Sequence, residues 1–277
     1  MIRILLLFAL PQEYAYLKRL TGSWRVAARE PFKSFVRRDP SRELVLIETG
    51  IGRDRMLGAL EWLLGRMHPD LVIAAGFAGS LTQELGVGDA CLGETFTSLE
   101  VPFCSESGPR KMGLELSERL VQFCEEQRIR RTQIVTVNQP APKQKLSEAY
   151  ENSVTVMDME SYLVVRFCYE RNIPFLSFRA ISDGVLDEID FDLTAITDAR
   201  GRVRVPLVLG SILRNSWLLK SYFMSWKRSM KAAKGLGRVI ASLVGLPHEE
   251  LRSLASDLTV MNRHRENLGG VQQSALE

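Results

Sequence analysis

Apolar residues along the chain fall into short, nearly continuous runs, separated by segments in which they recur every three or four positions. The runs are "IRILLLF" (2–8), "ELVLIET" (43–49), "DLVIAAG" (70–76), "TQIVTVN" (132–138), "SVTVMDM" (153–159) and "PFLSFRAIS" (174–182). Several are rich in β-branched residues and lack polar alternation, as expected of strands covered on both faces. The intervening periodicity predicts helices over 53–67, 113–128, 144–152 and 159–171. Strands alternating with helices predict an α/β sandwich, with helices on both faces of a central sheet.

Ligands of such folds gather beyond the carboxyl ends of the strands, where loops and helix starts meet. One rim is therefore expected to collect Glu13, the "TGIG" of 49–52, the "GFAG" of 76–79, the "DMES" of 158–161 and the "SDG" of 182–184. The pattern changes after residue 200. Residues 201–248 contain no Asp or Glu but carry nine Lys and Arg residues. Their apolar positions Leu219, Phe223, Trp226, Met230, Ala233, Leu236, Ile240 and Leu243 form a helical stripe. The chain is thus expected to divide into a main α/β domain (1–200), an extension of basic amphipathic helices (201–248) and a polar tail (249–277), the last ordered only in part.

Composition narrows the chemistry. With 277 residues, 45% hydrophobic and 25% charged, the chain can bury one large core, and its net charge of +3 is too weak to imply nucleic acid. Cys91, Cys104, Cys124 and Cys168 form no CxxC pair, which suggests reduced thiols in a cytoplasmic protein. The opening apolar run resembles a short secretory segment but lacks a small-residue cleavage site, so a buried first strand is the better reading. His68, His248 and His264 all stand in polar or terminal contexts. Neither a histidine triad nor a His/Cys metal site is expected, which leaves the carboxylates.

Burying a carboxylate is costly unless it is paired, hydrogen-bonded or used. In "VMDMESYLVV" (156–165), Glu160 stands where a strand meets a helix. It could accept the free N–H groups of the helix's first turn, or accept two hydrogen bonds from a vicinal diol such as a ribose and favour positive charge developing on the sugar. Asp158 points to the other side and reads as a partner for a backbone or basic group. Asp183 is either an N-cap or Asx-turn residue or a general acid. Arg179, four residues earlier, either orients a carboxylate or snorkels. Glu13 is either an ordinary first-turn residue or the base that activates a water. "GFAG" lacks the GxGxxG spacing of a dinucleotide fingerprint.

Taken in order, "ALPQE", "TGIG", "AAGFAGSL", "VGD", "VMDMES" and "FRAISD" resemble the purine nucleoside phosphorylase and nucleosidase superfamily, particularly its methylthioadenosine/S-adenosylhomocysteine nucleosidase branch. The resemblance spans about residues 1–185. It implies a three-layer sandwich with a twisted, mixed central sheet and cleavage of a ribosyl N-glycosidic bond without a cofactor. It also implies that Asp183 protonates the departing purine at N7 and that Glu13 activates the water. Met159 and Glu160 would hold the ribose, while Phe77, Ala78 and Gly79 would line the base pocket.

The segments "PAPKQKLSEAYENSVTVMDMES" and "DARGRVRVPLVLGSILRN" are similar to the hopanoid-associated phosphorylase group, which implies a lipid-linked adenosine such as adenosylhopane as substrate. Under that reading the basic extension lies on the inner membrane surface of a cytoplasmic enzyme. The alternative is that its stripe caps the core or forms the interface of a homodimer. Two departures stand out: Phe77 and Ser80 replace small residues of the family motif, and no adenine-stacking aromatic is evident at 137–141. Phosphate as nucleophile would call on Gly52 and Arg53, but Glu13 would repel a dianion, so hydrolysis is expected.

Overall fold

A computed structural model describes residues 1–99, 110–138, 143–187 and 218–262. The expectations placed on residues 139–141, 201–217 and 263–277 lie outside them.

The strands are β1 (Ile2–Phe8), β2 (Arg25–Ala28), β3 (Lys33–Arg38), β4 (Arg42–Glu48), β5 (Leu71–Ser80), β6 (Ala90–Leu99), β7 (Arg110–Glu115), β8 (Arg130–Val137), β9 (Thr155–Asp158), β10 (Phe175–Asp183) and β11 (Thr259–Asn262). The helices are α1 (Pro11–Thr21), α2 (Arg53–Leu64), α3 (Glu118–Glu126), α4 (Lys143–Ala149), α5 (Ser161–Tyr169), α6 (Leu218–Val244) and α7 (His248–Ser256). Six of the strands are the apolar runs of the sequence. β1 lies between β4 and β5, parallel to both, and all its residues but Arg3 are buried. Such a central strand needs no polar alternation.

The sheet is mixed, as expected, with the order β11-β7-β6-β8-β9-β5-β1-β4-β3-β2. β10 pairs with both β5 and β6, so β5, β9, β8, β6 and β10 form a closed ring within it. Closure removes strand edges next to the site and makes its walls rigid.

Several local expectations require correction. Residues 113–115 do not begin a helix; they end β7, where Met112 and Leu114 are buried and Gly113 pairs with Met261 of β11. The helix begins only after Ser117, whose Oγ accepts the Leu120 N–H as an N-cap. The strand expected over 70–76 runs on to Ser80, so "GFAG" is the last part of β5. Residues 249–262, the described part of the expected polar tail, carry most of α7 and all of β11. Leu251, Leu254, Ala255 and Leu258 recur at helical spacing and are buried, and β11 then extends the sheet beside β7.

The basic extension forms one helix, α6, over its described part. Ala232, Ala233, Leu236, Ile240 and Leu243 are buried, and the helix packs against α1 and β10. Arg42 ties its end to the sheet by donating to the Val244 and Leu246 carbonyls. Earlier on the helix, Met224, Trp226 and Met230 are exposed. Of the stripe positions whose burial is described, those from Ala233 to Leu243 cap the core, while Trp226 and Met230 are exposed. Among the described residues no helix is long and apolar enough to cross a membrane.

Candidate active site

The site is organised by two neighbouring parallel strands and one strand running against them. β10 pairs with β5 so that Arg179 lies opposite Gly76 and Asp183 opposite Gly79. Three residues along a strand span about 10 Å, so these pairs mark two levels of one pocket wall. β9 is antiparallel to β5, with Met157 opposite Gly79. The chain after Met157 therefore descends along β5 toward Gly76, so Asp158 and Glu160 enter from the direction opposite to that expected of a common strand-end rim.

At the Gly76 level the centre is Arg179, buried despite its charge. Its Nη2 lies 2.7 Å from Asp158 Oδ2, and Nε and Nη2 both donate to Ser161 Oγ. Asp158 also accepts from Thr136 Oγ1 at 2.6 Å and from the Ser161 N–H at 3.0 Å. It is thus a fully engaged structural partner that caps α5, and Arg179 orients carboxylates rather than snorkelling.

Glu160 is the N-cap residue of α5, yet its side chain makes no cap hydrogen bond. Its Oε1 instead accepts the Gly52 N–H at 3.1 Å, across the pocket at the start of α2. Asp158 has taken the capping task and left Glu160 free for another. Burial pushes the Glu160 carboxyl up to about 7; the Arg179 guanidinium opposes the rise and the Asp158 charge adds to it.

Glu13 stands in the first turn of α1, with Pro11 at the helix start. Its Oε2 accepts the Leu10 N–H at 2.8 Å, as a first-turn glutamate can, but its Oε1 reaches β5 and accepts the Phe77 N–H at 2.9 Å. Glu13 is thus a first-turn residue of α1 that also ties the helix to β5. Burial raises its pKa above the ordinary value, against those N–H donors and Arg179. Tyr14, the next residue, donates to Glu48 at 2.7 Å and fixes α1 against β4.

A Cβ at Gly76 would overlap Arg179 Nη1 and lie 2.9 Å from Glu13 Oε1. Gly76→Ala is expected to separate these charges and destabilise the fold by about 1–3 kcal/mol, read as a lower urea midpoint with an unchanged slope. A wild-type midpoint would mean that the two side chains can retreat freely.

At the Gly79 level, Asp183 ends β10. Ser182 Oγ donates to its Oδ1, and the Lys143 ammonium pairs with its Oδ2. Lys143 is buried and also donates to the Gly184 carbonyl at 3.1 Å and the Asp187 carbonyl at 2.8 Å. Ala78 is buried, Phe77 and Met159 are half-buried, and Met159 packs against the cluster that includes Leu81, Leu99, Leu146 and Tyr150.

The proposed anion site is not assembled in this way. Arg53 is exposed, the Gly52 N–H is engaged by Glu160, and Arg55 Nε donates to the Thr49 carbonyl at 3.1 Å. Sequence reasoning missed Lys143. The available signal was its place on the same helical face as Leu146 and Tyr150: a lysine on a buried stripe needs a carboxylate.

Comparison with known proteins places this geometry in context. A family model described as the phosphorylase superfamily matches residues 3–212. A methylthioadenosine/S-adenosylhomocysteine nucleosidase of Staphylococcus aureus is 26% identical over 173 residues, covering 57% of this chain and 75% of the relative. Among solved structures, futalosine hydrolase of Helicobacter pylori aligns with a TM-score of 0.66 at 15% identity, over 88% of this chain and 97% of its own. The methylthioadenosine/S-adenosylhomocysteine nucleosidase of Campylobacter jejuni aligns with a TM-score of 0.62 at 16% identity, over 87% and 98%. These structural likenesses show a shared fold.

Proposed function

The chain belongs to the phosphorylase superfamily, and from that premise we propose that it is a purine nucleosidase, cleaving the N-glycosidic bond of an adenosine-type nucleoside with water. The observation that carries this reading is Glu160: a buried N-cap carboxylate that leaves the cap to Asp158 and turns into the pocket. A carboxylate so placed can accept both ribose hydroxyls and favours positive charge on the sugar as the bond breaks. Met159 packs against the ribose, and Phe77, Ala78 and Gly79 line the base.

Glu13 accepts a proton from the attacking water as its oxygen bonds to C1′, and Asp183 gives a proton to N7 as the electrons of the C1′–N9 bond pass to the purine. The two levels of the pocket wall, about 10 Å apart, suit this division, with the sugar chemistry near Glu13 and Glu160 and the leaving group near Asp183. A phosphate dianion at the Gly76 level would meet Glu13 and Glu160, and Arg179, the buried cation described at that level, is already paired with Asp158. That balance favours water.

The 5′ substituent is a lipid in this proposal. Support comes from exposed apolar surface on α6 and on the turn that follows β10, which a chain on C5′ is long enough to reach. Arg228 of α6 donates to Asp187 at 2.6 Å, Leu186 next to that pair is 87% exposed, and Met224 stands one helical turn before Arg228. A lipid tail leaving the pocket there would run toward α6 and a membrane surface.

One experiment addresses both parts: adenine release from methylthioadenosine and from an adenosine carrying a long alkyl chain at C5′, each with and without inorganic phosphate. Release is expected without phosphate, with the higher kcat/KM on the alkylated substrate. Strict phosphate dependence would replace the hydrolase by a phosphorylase, and equal kcat/KM values would remove the lipid.

A further inference from the structure

A general acid must carry a proton, and Asp183 Oδ2 is paired with the buried Lys143 ammonium, a proton donor. Building on the nucleosidase reading, we propose that Lys143 is a positioning residue for departure of the purine, holding Asp183 in place and supplying through it the proton that the base takes.

Three observations converge on Lys143. All three hydrogens of its ammonium have acceptors, on Asp183, Gly184 and Asp187, so the head group has one place and one orientation. Its stem is fixed by α4, whose Leu146 packs with Tyr150 in the small core beneath Met159. Finally, Asp183 Oδ2, the oxygen that meets Lys143, also faces the pocket wall. A Cβ at Gly79 would lie 2.8 Å from that oxygen and 3.0 Å from Lys143 Cε. Only glycine leaves room there for the Asp183–Lys143 pair.

The proton inventory closes. One proton passes from Lys143 Nζ to Asp183 Oδ2 and from that oxygen to N7, while the C1′–N9 electron pair goes to the purine. Asp183 remains a carboxylate, and Lys143, left as an amine, regains a proton from water once the base has departed. The water that attacked C1′ has given its proton to Glu13, which returns it to solvent.

Asp187 extends the arrangement. Its carboxylate accepts the Gly184 N–H at 3.0 Å and pairs with Arg228, so the turn that supplies two of the three Lys143 acceptors is anchored to α6. Helix α6 thereby supports the leaving-group end of the site.

The test compares two ribosides that differ in their need for a proton. Adenosine requires N7 protonation; p-nitrophenyl β-D-ribofuranoside leaves as a stable phenolate and does not. In Lys143→Met, kcat for adenosine is expected to fall about 100-fold, with KM within about threefold and the p-nitrophenyl substrate changed less than about threefold. Ethylamine should restore part of the adenosine rate in Lys143→Ala. Equal losses on both substrates in a variant with wild-type circular dichroism, or no loss on either, would overturn the role of Lys143. Wild-type protein inactive on both substrates would sink the nucleosidase reading and this one with it. If Lys143→Met fails to fold, Lys143→Gln carries the same comparison.

Discussion

Replacing Asp183 by asparagine lowers kcat for purine release by about 10²–10⁴-fold, the range over which a positioned general acid accelerates proton transfer. Asparagine keeps the size of the side chain and can still accept the Ser182 hydroxyl, so the base pocket should survive and KM should change little. It cannot pass a proton to N7, and the purine must then leave as a poor anion. The same change leaves the buried Lys143 ammonium without its anion, although the Gly184 and Asp187 carbonyls still accept from it. Some loss of stability is therefore expected as well. Steady-state kinetics at matched folded fractions separate the two effects. Turnover within tenfold of wild type would remove Asp183 from the mechanism.

Glu160→Gln is expected to lower kcat/KM for nucleosides by about 10²-fold, since one charged acceptor for the ribose hydroxyls is lost and hydrogen bonds to charged groups contribute about 1.5–3 kcal/mol each. The same substitution should stabilise the protein at pH 8. Burial raises the Glu160 carboxyl from 4.5 to about 7. Between those values the folded state holds a proton that the unfolded chain has lost. Stability therefore falls as pH rises from about 4.5 and levels off above about 7, by an amount on the order of 3 kcal/mol. Glutamine does not titrate, so its advantage over glutamate should be small at pH 5 and largest at pH 8, read from urea midpoints at the two pH values. A variant equally destabilised at both would mark Glu160 as a structural anchor. Loss of function joined to gain of stability is the behaviour of a buried charge kept for its chemistry.

The six apolar runs became strands because burial on both faces leaves a signal in composition alone. The strands that escaped, β2, β3, β6, β7 and β11, are shorter, more polar or near the sheet's ends, where one face or edge meets solvent. The stretch at 113–115 misled because Met112, Leu114 and the following helix share apolar residues at spacings that fit either period. At 248–262 the abundance of charge hid Leu251, Leu254, Ala255 and Leu258, which suffice to seat a short helix.

The candidate residues Glu13, Glu160 and Asp183 could be named from the order of their motifs, but for each the sequence left two roles open. For Glu160 the helix-start reading gives way, because Asp158, two residues away, accepts the first N–H of α5 instead. For Glu13 the structure shows the first-turn role at one oxygen and a bond to β5 at the other, a contact with a segment 64 residues away that no local pattern announces. Lys143 was invisible to motif reading; its meaning depends on a carboxylate 40 residues later.

By itself, then, the sequence determined which segments form the buried strands, which carboxylates are candidates for chemistry, and that a basic stripe follows residue 200. These follow from local pattern and residue chemistry, which the chain carries at every position. Only the tertiary structure decided that β9 runs against β5 and brings Asp158 and Glu160 down to Arg179, that α6 seats one half of its stripe on the core, and that Asp183 is paired with a lysine. Strand direction and long-range charge pairing are set by contacts between distant segments, and hydrophobic periodicity has the same appearance whichever way a strand runs.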